Sequence, residues 1–342
     1  MTTTPTLLPF GEYWWFYGGF TILIVLLLAL DLGVLNRKAH VVSAREAAGW
    51  SALWVSVALA FNFAFYHFLL ARLAHDSRLT SIVGFDPHKA AWQAALEFLA
   101  GYVTEYSLSV DNIFVFVVVL NYFNVPARYR HRVLFFGILG ALVFRGVFIA
   151  MGALLLRFEP VILIFGIFLL YTGVRMMFAE ERGVEPEQNA IIRLFRRFVP
   201  VTGEMVGKNF FVVQSGRLYA TPLFIALLFL EMTDIVFAVD SVPAIFALTR
   251  EPLIVFTSNI FAILGLRSMY FMLAAAVDKF HMLKYGLGIV LIFVGLKMVV
   301  LNRLWHGHFP ISISLGVIVG VIGASVALSL IFPRAAGGAE QS

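Results

Sequence analysis

The chain has 342 residues, 61% of them hydrophobic and 13% charged, whereas soluble proteins carry about 25% charged residues. With 35 Phe and a mean hydropathy of +0.91, it has more apolar surface than one or two soluble cores can hide. A soluble enzyme, a secreted disulfide scaffold and a disordered chain are excluded, and the absence of Cys removes thiolate metal sites, dithiol redox motifs and iron–sulfur ligation.

Windows of about 19 residues predict nine spans, at 13–35, 48–70, 95–120, 133–156, 160–178, 222–247, 253–276, 283–300 and 311–331. No Lys or Arg precedes the first span, so it lacks the basic start of a signal peptide and is expected to be retained. With the N-terminus outside, 16 of the 25 Lys and Arg fall in inner segments and 7, Lys297 among them, in outer ones. The positive-inside rule then gives an outer N-terminus and a cytoplasmic C-terminus. The pI near 9.5 is therefore read as a topology signal, and nucleic acid is not an expected partner. The long connection 179–221 becomes cytoplasmic. Its stretch 190–199 interleaves Arg with apolar residues at helical spacing, as an interfacial helix does. Residues 210–219 read as a small hairpin turning at Ser215-Gly216.

The chain also matches itself. At an offset of 122, Arg145 falls on Arg267, Gly166 on Gly288, Gly173 on Gly295, Arg175 on Lys297 and Met176 on Met298. At an offset of 129, Thr104-Glu105 falls on Thr233-Asp234 and Val110-Asp111-Asn112 on Val239-Asp240-Ser241. Spans three to five (95–178) thus repeat as spans six to eight (222–300). Three is odd, so the second copy enters the membrane inverted, an architecture that recurs in transporters with a site at the repeat interface. The fold class expected is all-α: one polytopic transmembrane domain over 1–342 with about nine helices and an inverted repeat of three.

Span three carries Glu105, Ser109, Asp111 and Asn112; span six carries Glu231, Asp234, Asp240 and Ser241. A carboxylate at a helix centre costs about 2.5–3.5 kcal/mol on insertion scales, so these acids need a reason. Against them stand Arg145 and Arg267, which either pair with the acids and hold the helices in register or replace the cation when the site is empty. At 100° per residue, Glu105, Ser109 and Asn112 share a face with Asp111 turned aside, and Asp234, Ala238 and Ser241 share one with Asp240 turned aside. Each final Asp therefore needs a second partner or a local unwinding, which Pro243 favours in span six.

Oxygen ligands without Cys suit Mn²⁺, Mg²⁺ or Ca²⁺. His67 reads as a packing or snorkelling residue, His306 and His308 as solvated loop residues, and Asp31 as lining an exit path or snorkelling. Gly316-x-x-x-Gly320 fits close helix packing, including a dimer contact.

Leu30-Asp31-Leu32 with Asn36-Arg37-Lys38-Ala39-His40, Ser107-Leu108-Ser109-Val110-Asp111-Asn112, and Glu231-x-x-Asp234-x-Val236-Phe237-Ala238-x-Asp240-Ser241-x-Pro243-Ala244-Ile245 resemble the TerC family, named for tellurium resistance. The similarity runs on through Arg267-Ser268-Met269-Tyr270 and spans roughly residues 12 to 305. The resemblance implies a bacterial inner-membrane protein whose relatives include manganese exporters, some linked to alkaline pH and to metal loading of secreted enzymes. Its acidic positions carry over to Glu105, Asp111, Asn112, Glu231, Asp234, Asp240 and Ser241. The expectation is a divalent-cation transporter, Mn²⁺ export by resemblance, with Glu105, Asp111, Asp234 and Asp240 as principal ligands and Glu231, Ser109, Asn112 and Ser241 completing the shell. No resident cofactor and no enzymatic activity are expected. The partners are the cation, the bilayer, and contacts with secretion machinery or a second copy. The rival is a membrane scaffold that couples secretion to metal loading, and a Ca²⁺ or Mg²⁺ transporter is a variant of the same architecture.

Overall fold

The computed structural model describes residues 6–30, 43–156, 158–178, 190–214, 216–274, 280–305 and 309–332. The chain runs through α1 (Phe10–Leu30), α2 (Ala44–Leu73), α3 (Ser77–Thr80), α4 (Pro87–Tyr122), α5 (Ala127–Leu155) and α6 (Glu159–Phe178). A connecting segment follows, α7 (Ala190–Phe198), β1 (Phe211–Gln214) and β2 (Arg217–Ala220), and then α8 (Pro222–Phe246) and α9 (Pro252–Leu273). Helix α10 (Leu283–Leu296) continues through a π-helical turn, Lys297–Leu301, into α11 (Asn302–Leu304), and α12 (Ile311–Ile331) ends the described chain. Among the described residues, nine helices are long and apolar enough to cross a membrane, at the nine places the sequence predicts.

Local chemistry sets the helix starts. The Ser43 side chain accepts the Glu46 N–H and opens α2. Asp86 accepts the N–H groups of His88 and Lys89 and, with Pro87 in the first turn, opens α4. At 36 residues α4 is about 54 Å long, well beyond a hydrocarbon core of about 30 Å. It therefore projects beyond the predicted span 95–120.

Helix α9 is the axle of the bundle. Nearly all its residues are buried, and it packs against α4, α2 and α5, while α8 packs against α5 and α4. Helices α6 and α10 form the other extensive pair. Four glycines set that crossing. A Cβ on Gly173 would lie 2.7 Å from the Gly288 carbonyl oxygen, and one on Gly288 the same distance from the Gly173 carbonyl oxygen. A Cβ on Gly295 would lie 2.8 Å from the Gly166 carbonyl oxygen, and one on Gly166 3.4 Å from that of Gly295. The 122-residue alignment exchanges one approach with the other, since Gly166 aligns with Gly288 and Gly173 with Gly295.

A short helix and the hairpin form where expected. β1 pairs antiparallel with β2, Gln214 opposite Arg217, and Gly216 supplies a φ of +77° in the turn. Ile192 is buried while Leu194 and Phe198 are exposed, and the rings of Phe195 and Phe211 pack on Phe224 at the start of α8.

Several expectations are corrected. α8 does not unwind at Pro243: the proline sits one turn from the helix end, and its carbonyl still accepts the Ala247 N–H at 3.0 Å. Lys297 is not an outer-segment charge; it is buried at the start of the π turn. Among the described residues nothing lies within 4 Å of a Cβ built on Gly316 or Gly320, so the two glycines do not make a close helix contact there. His67 is exposed on α2 between Phe63 and Tyr66, as a packing residue. Asp31, Ser215, His306 and His308 lie outside the described residues.

Candidate functional site

The faces predicted from helical geometry are the buried ones. Glu105, Ser109 and Asn112 recur at i, i+4 and i+7 along α4, and all three are buried. Asp234, Ala238 and Ser241 do the same on α8. The two faces meet where α4, α5, α8 and α9 come together.

Arg145, fully buried on α5, fills the centre. Its Nη1 pairs with Glu105 Oε1, donates to Asn259 Oδ1 at 2.9 Å and reaches Ser241 Oγ at 3.3 Å. Its Nη2 lies 3.3 Å from Asp234 Oδ1. One guanidinium thus answers an acid from α4 and one from α8, which goes beyond the single pairing expected of it. Asn259, on α9, closes the ring by donating from Nδ2 to Glu105 Oε2 at 3.3 Å.

The site is not saturated. Among the described residues, Asp234 Oδ2, Ser109 Oγ, Glu231 Oε2 and Arg145 Nε are buried with no hydrogen-bond partner, an expensive condition in low dielectric unless another species supplies the bond. Glu231 lies three residues before Asp234 on α8, and its carboxylate lies over Gly140 of α5: a Cβ there would come within 2.1 Å of Oε1.

The outlying residues divide. Asp240 is half-buried on α8, turned aside as predicted, and the charge that reaches it is that of Arg175 on α6. Asp111 lies on α4, but its side chain is outside the described set. Arg267 is not at the centre. Its Nη1 is 3.1 Å from His131 Nε2, in a recess at the opposite end of α9 from Glu251, lined also by Glu46, Trp50 and Ser268. Among the described residues no three Asp, Glu or His side chains are gathered as they would be around a metal; the cation standing among the acids is Arg145.

The sequence reading passed over Asn259 and Glu97 and misplaced Lys297. Asn259 is a polar residue in the middle of predicted span seven and was detectable as such. Glu97, on α4, and Lys297 both fell within predicted spans, so a full tally of charges in those windows would have found them. Glu97 accepts from Thr249 Oγ1 at 2.5 Å and from Gln93 Nε2 at 2.9 Å, and its charge acts on Lys297. It stands two turns, about 12 Å, from Glu105 along α4. Nearby, Glu251 at the start of α9 accepts the N–H groups of Leu7 at 2.7 Å and Leu8 at 3.2 Å, which ties the segment before α1 to the bundle.

Comparison with known proteins agrees with this architecture. The family model described as the integral membrane protein TerC family matches residues 90–336. An uncharacterized membrane protein of Myxococcus xanthus, STKORF319, is 50% identical over 319 residues, covering 93% of this chain and 92% of its own. A protein of Escherichia coli K12 named as a candidate membrane-bound redox modulator, Alx, is 44% identical over 308 residues, covering 90% and 91%. An uncharacterized membrane protein of Rickettsia bellii is 35% identical over 313 residues, covering 91% and 96%. No solved structure matches the chain. With that model covering most of the transmembrane bundle and these relatives aligned over nearly their whole lengths, the chain belongs to the TerC family of integral membrane proteins.

Proposed function

We propose that this protein carries divalent metal cations across a bacterial inner membrane, exporting Mn²⁺ from the cytoplasm, with its N-terminus outside and its C-terminus inside. The observation that carries the reading is the convergence of Glu105 and Asp234, aligned acids of the two repeats, on one buried point that also holds unpartnered oxygens of Asp234 and Ser109. A bundle solvated by lipid has no structural need for such a centre. An arriving cation takes over the charge that Arg145 supplies, drawing on Glu105, Asp234, Ser109, Asn112 and Ser241, with Glu231 and Asp240 along the approach and Asp111 kept as a ligand on the sequence pattern. The oxygen-only set suits a hard ion, and the choice of Mn²⁺ and of export follows the family resemblance. Proton exchange is the natural coupling, because acids that lose a cation must regain a charge or a proton. The crossed glycine approaches of α6 and α10, which exchange under the alignment, support an inverted repeat related by a two-fold axis. The family's tellurium name is a poor guide to cargo, since an acidic site repels an oxyanion.

The test is flux in proteoliposomes holding a metal-sensitive and a pH-sensitive dye, challenged in turn with Mn²⁺, Ca²⁺ and Mg²⁺. Asp111→Asn and Asp240→Asn should each abolish Mn²⁺ flux while inserting normally. Parental flux in both variants defeats the proposal.

One observation favours a second reading, a scaffold that couples secretion to metal loading. The segment α7–β2 exposes Leu194, Phe198, Val213 and Leu218 beside several Arg residues. Deleting residues 190–215 separates the two: a scaffold loses its partners, and a transporter keeps ion flux in vesicles. Redox modulation by dithiol exchange, in line with the name of the Alx relatives, is closed to this chain, which has no Cys.

A further inference from the structure

The two repeats align residue for residue around their arginines, yet those arginines are used differently. Arg145 sits between Glu105 and Asp234, while its counterpart Arg267 lies against His131 away from the centre. A sequence difference stands beside this asymmetry. Asn259, two turns before Arg267 on α9, aligns with Gly137, two turns before Arg145 on α5. The Asn259 carboxamide is buried and uses both its arms on the site: Oδ1 accepts from Arg145 and Nδ2 donates to Glu105. Gly137 has no side chain to do the same for Arg267. Space does not forbid one, since a Cβ at Gly137 would meet only Leu227 Cδ1, at 3.9 Å.

We propose that Asn259 is a positioning residue that makes Arg145, and not Arg267, the resident counter-charge of Glu105 and Asp234, and so latches the ion-free site. The latch rests on the reading of that acid pair as the ion-binding centre. It deepens that reading by naming what the ion must displace: a guanidinium held by a carboxamide from the neighbouring helix. A two-fold repeat without such a device would have two equivalent pairings, with either arginine at the centre. One carboxamide on one side of the pseudo-symmetry selects between them. The substrate competes with an internal cation whose grip is set by α9.

The chain has no Cys, so a single introduced thiol reports on the site without background. Ser109→Cys places it on α4, where the native hydroxyl is buried and makes no hydrogen bond among the described residues. The measurement is the rate at which a small water-soluble thiol reagent modifies S109C in nanodiscs without metal. In the N259A background the rate should rise at least about tenfold, because two hydrogen bonds to charged groups, one from Arg145 and one to Glu105, are lost. N259S, smaller and still polar, serves if N259A does not fold. A cavity alone could also raise the rate, so the deciding variant is G137N/N259G, which moves the carboxamide to the aligned position on α5. It should return the rate close to that of the S109C parent. Unchanged labelling in N259A or N259S, or no restoration by G137N, overturns the latch. Adding Mn²⁺ to the same samples tests the transporter reading separately: failure of Mn²⁺ to protect the parent thiol counts against ion binding, and the metal-free rates still decide the latch.

Discussion

Arg145 and Asp234 meet at 3.3 Å with both side chains removed from solvent, and Glu105 grips the same guanidinium from the other side. Desolvating three charges is repaid only while all three stay together. Arg145→Ala should therefore lower stability by about 3–5 kcal/mol, the cost of leaving a buried charge without its partner. The triple variant R145M/E105Q/D234N removes the charges as a set and should recover most of that loss. Thermal unfolding in detergent followed by Trp fluorescence reads both. Equal melting of R145A and parent would show that the triad is not a stability element.

Gly140 is glycine because the Glu231 carboxylate occupies the place where its Cβ would be. Gly140→Ala must push that carboxylate aside, and an acid facing the centre moves with it. Mn²⁺ flux should fall by about tenfold, the scale of a misplaced site group, with little change in the amount of folded protein. Shortening the acid in G140A/E231D should restore part of the flux. If G140A transports at the parental rate, Glu231 has no part in the path.

The α6–α10 crossing makes a prediction that uses the repeat. Gly173 and Gly295 are aligned positions, and a Cβ on either runs into the backbone of the facing helix, the Gly288 oxygen at 2.7 Å or the Gly166 oxygen at 2.8 Å. Backbone cannot rotate away as a side chain can. Gly173→Ala and Gly295→Ala should each cost about 1–3 kcal/mol, and by similar amounts. Gly316→Ala, with open space around it, should be neutral or stabilising by up to about 1 kcal/mol through helix propensity. Melting curves of the three variants settle the order.

These particulars show how far sequence reading reached. Spans, hairpin and the short helix at 190–198 were legible because lipid and alternation leave strong periodic signals. The faces of Glu105 and Asp234 were legible because 100° per residue is a rigid rule. What periodicity does not hold is which partner a long side chain selects. That Arg145 takes both acids while Arg267 turns to His131 depends on the packing of four helices and on one carboxamide at Asn259. The unwinding expected at Pro243 failed for a local reason: a lost hydrogen bond one turn from a helix end interrupts little of the ladder. Lys297 was counted with the outer charges although it lies inside the predicted span 283–300. Burial beside Glu97 shows that the helix carries it inward.

Glu251 gives the fold a pH dependence with a definite sign. Burial pushes its carboxyl up to about 6 from 4.5, against the pull of the Leu7 and Leu8 N–H groups and with the Glu97 charge adding to the rise. Between pH 4.5 and 6 the folded protein holds a proton that the unfolded chain gives up. Stability from this group is therefore greatest at the acid end and falls as pH rises through the window, by about 2 kcal/mol in all, then stays flat. Glu251→Gln keeps an acceptor for the two N–H groups and cannot ionise, so the difference in unfolding free energy between parent and E251Q should grow in favour of E251Q from pH 4.5 to 6.5. Proteolysis of the segment before α1 in the parent should show that segment held more tightly as pH rises through the window, since the ionised carboxylate is the better acceptor for the Leu7 and Leu8 N–H groups. A pH-independent difference between the two proteins would mean that Glu251 keeps its ordinary carboxyl behaviour in the folded state, and that its tether to the segment before α1 is insensitive to protonation.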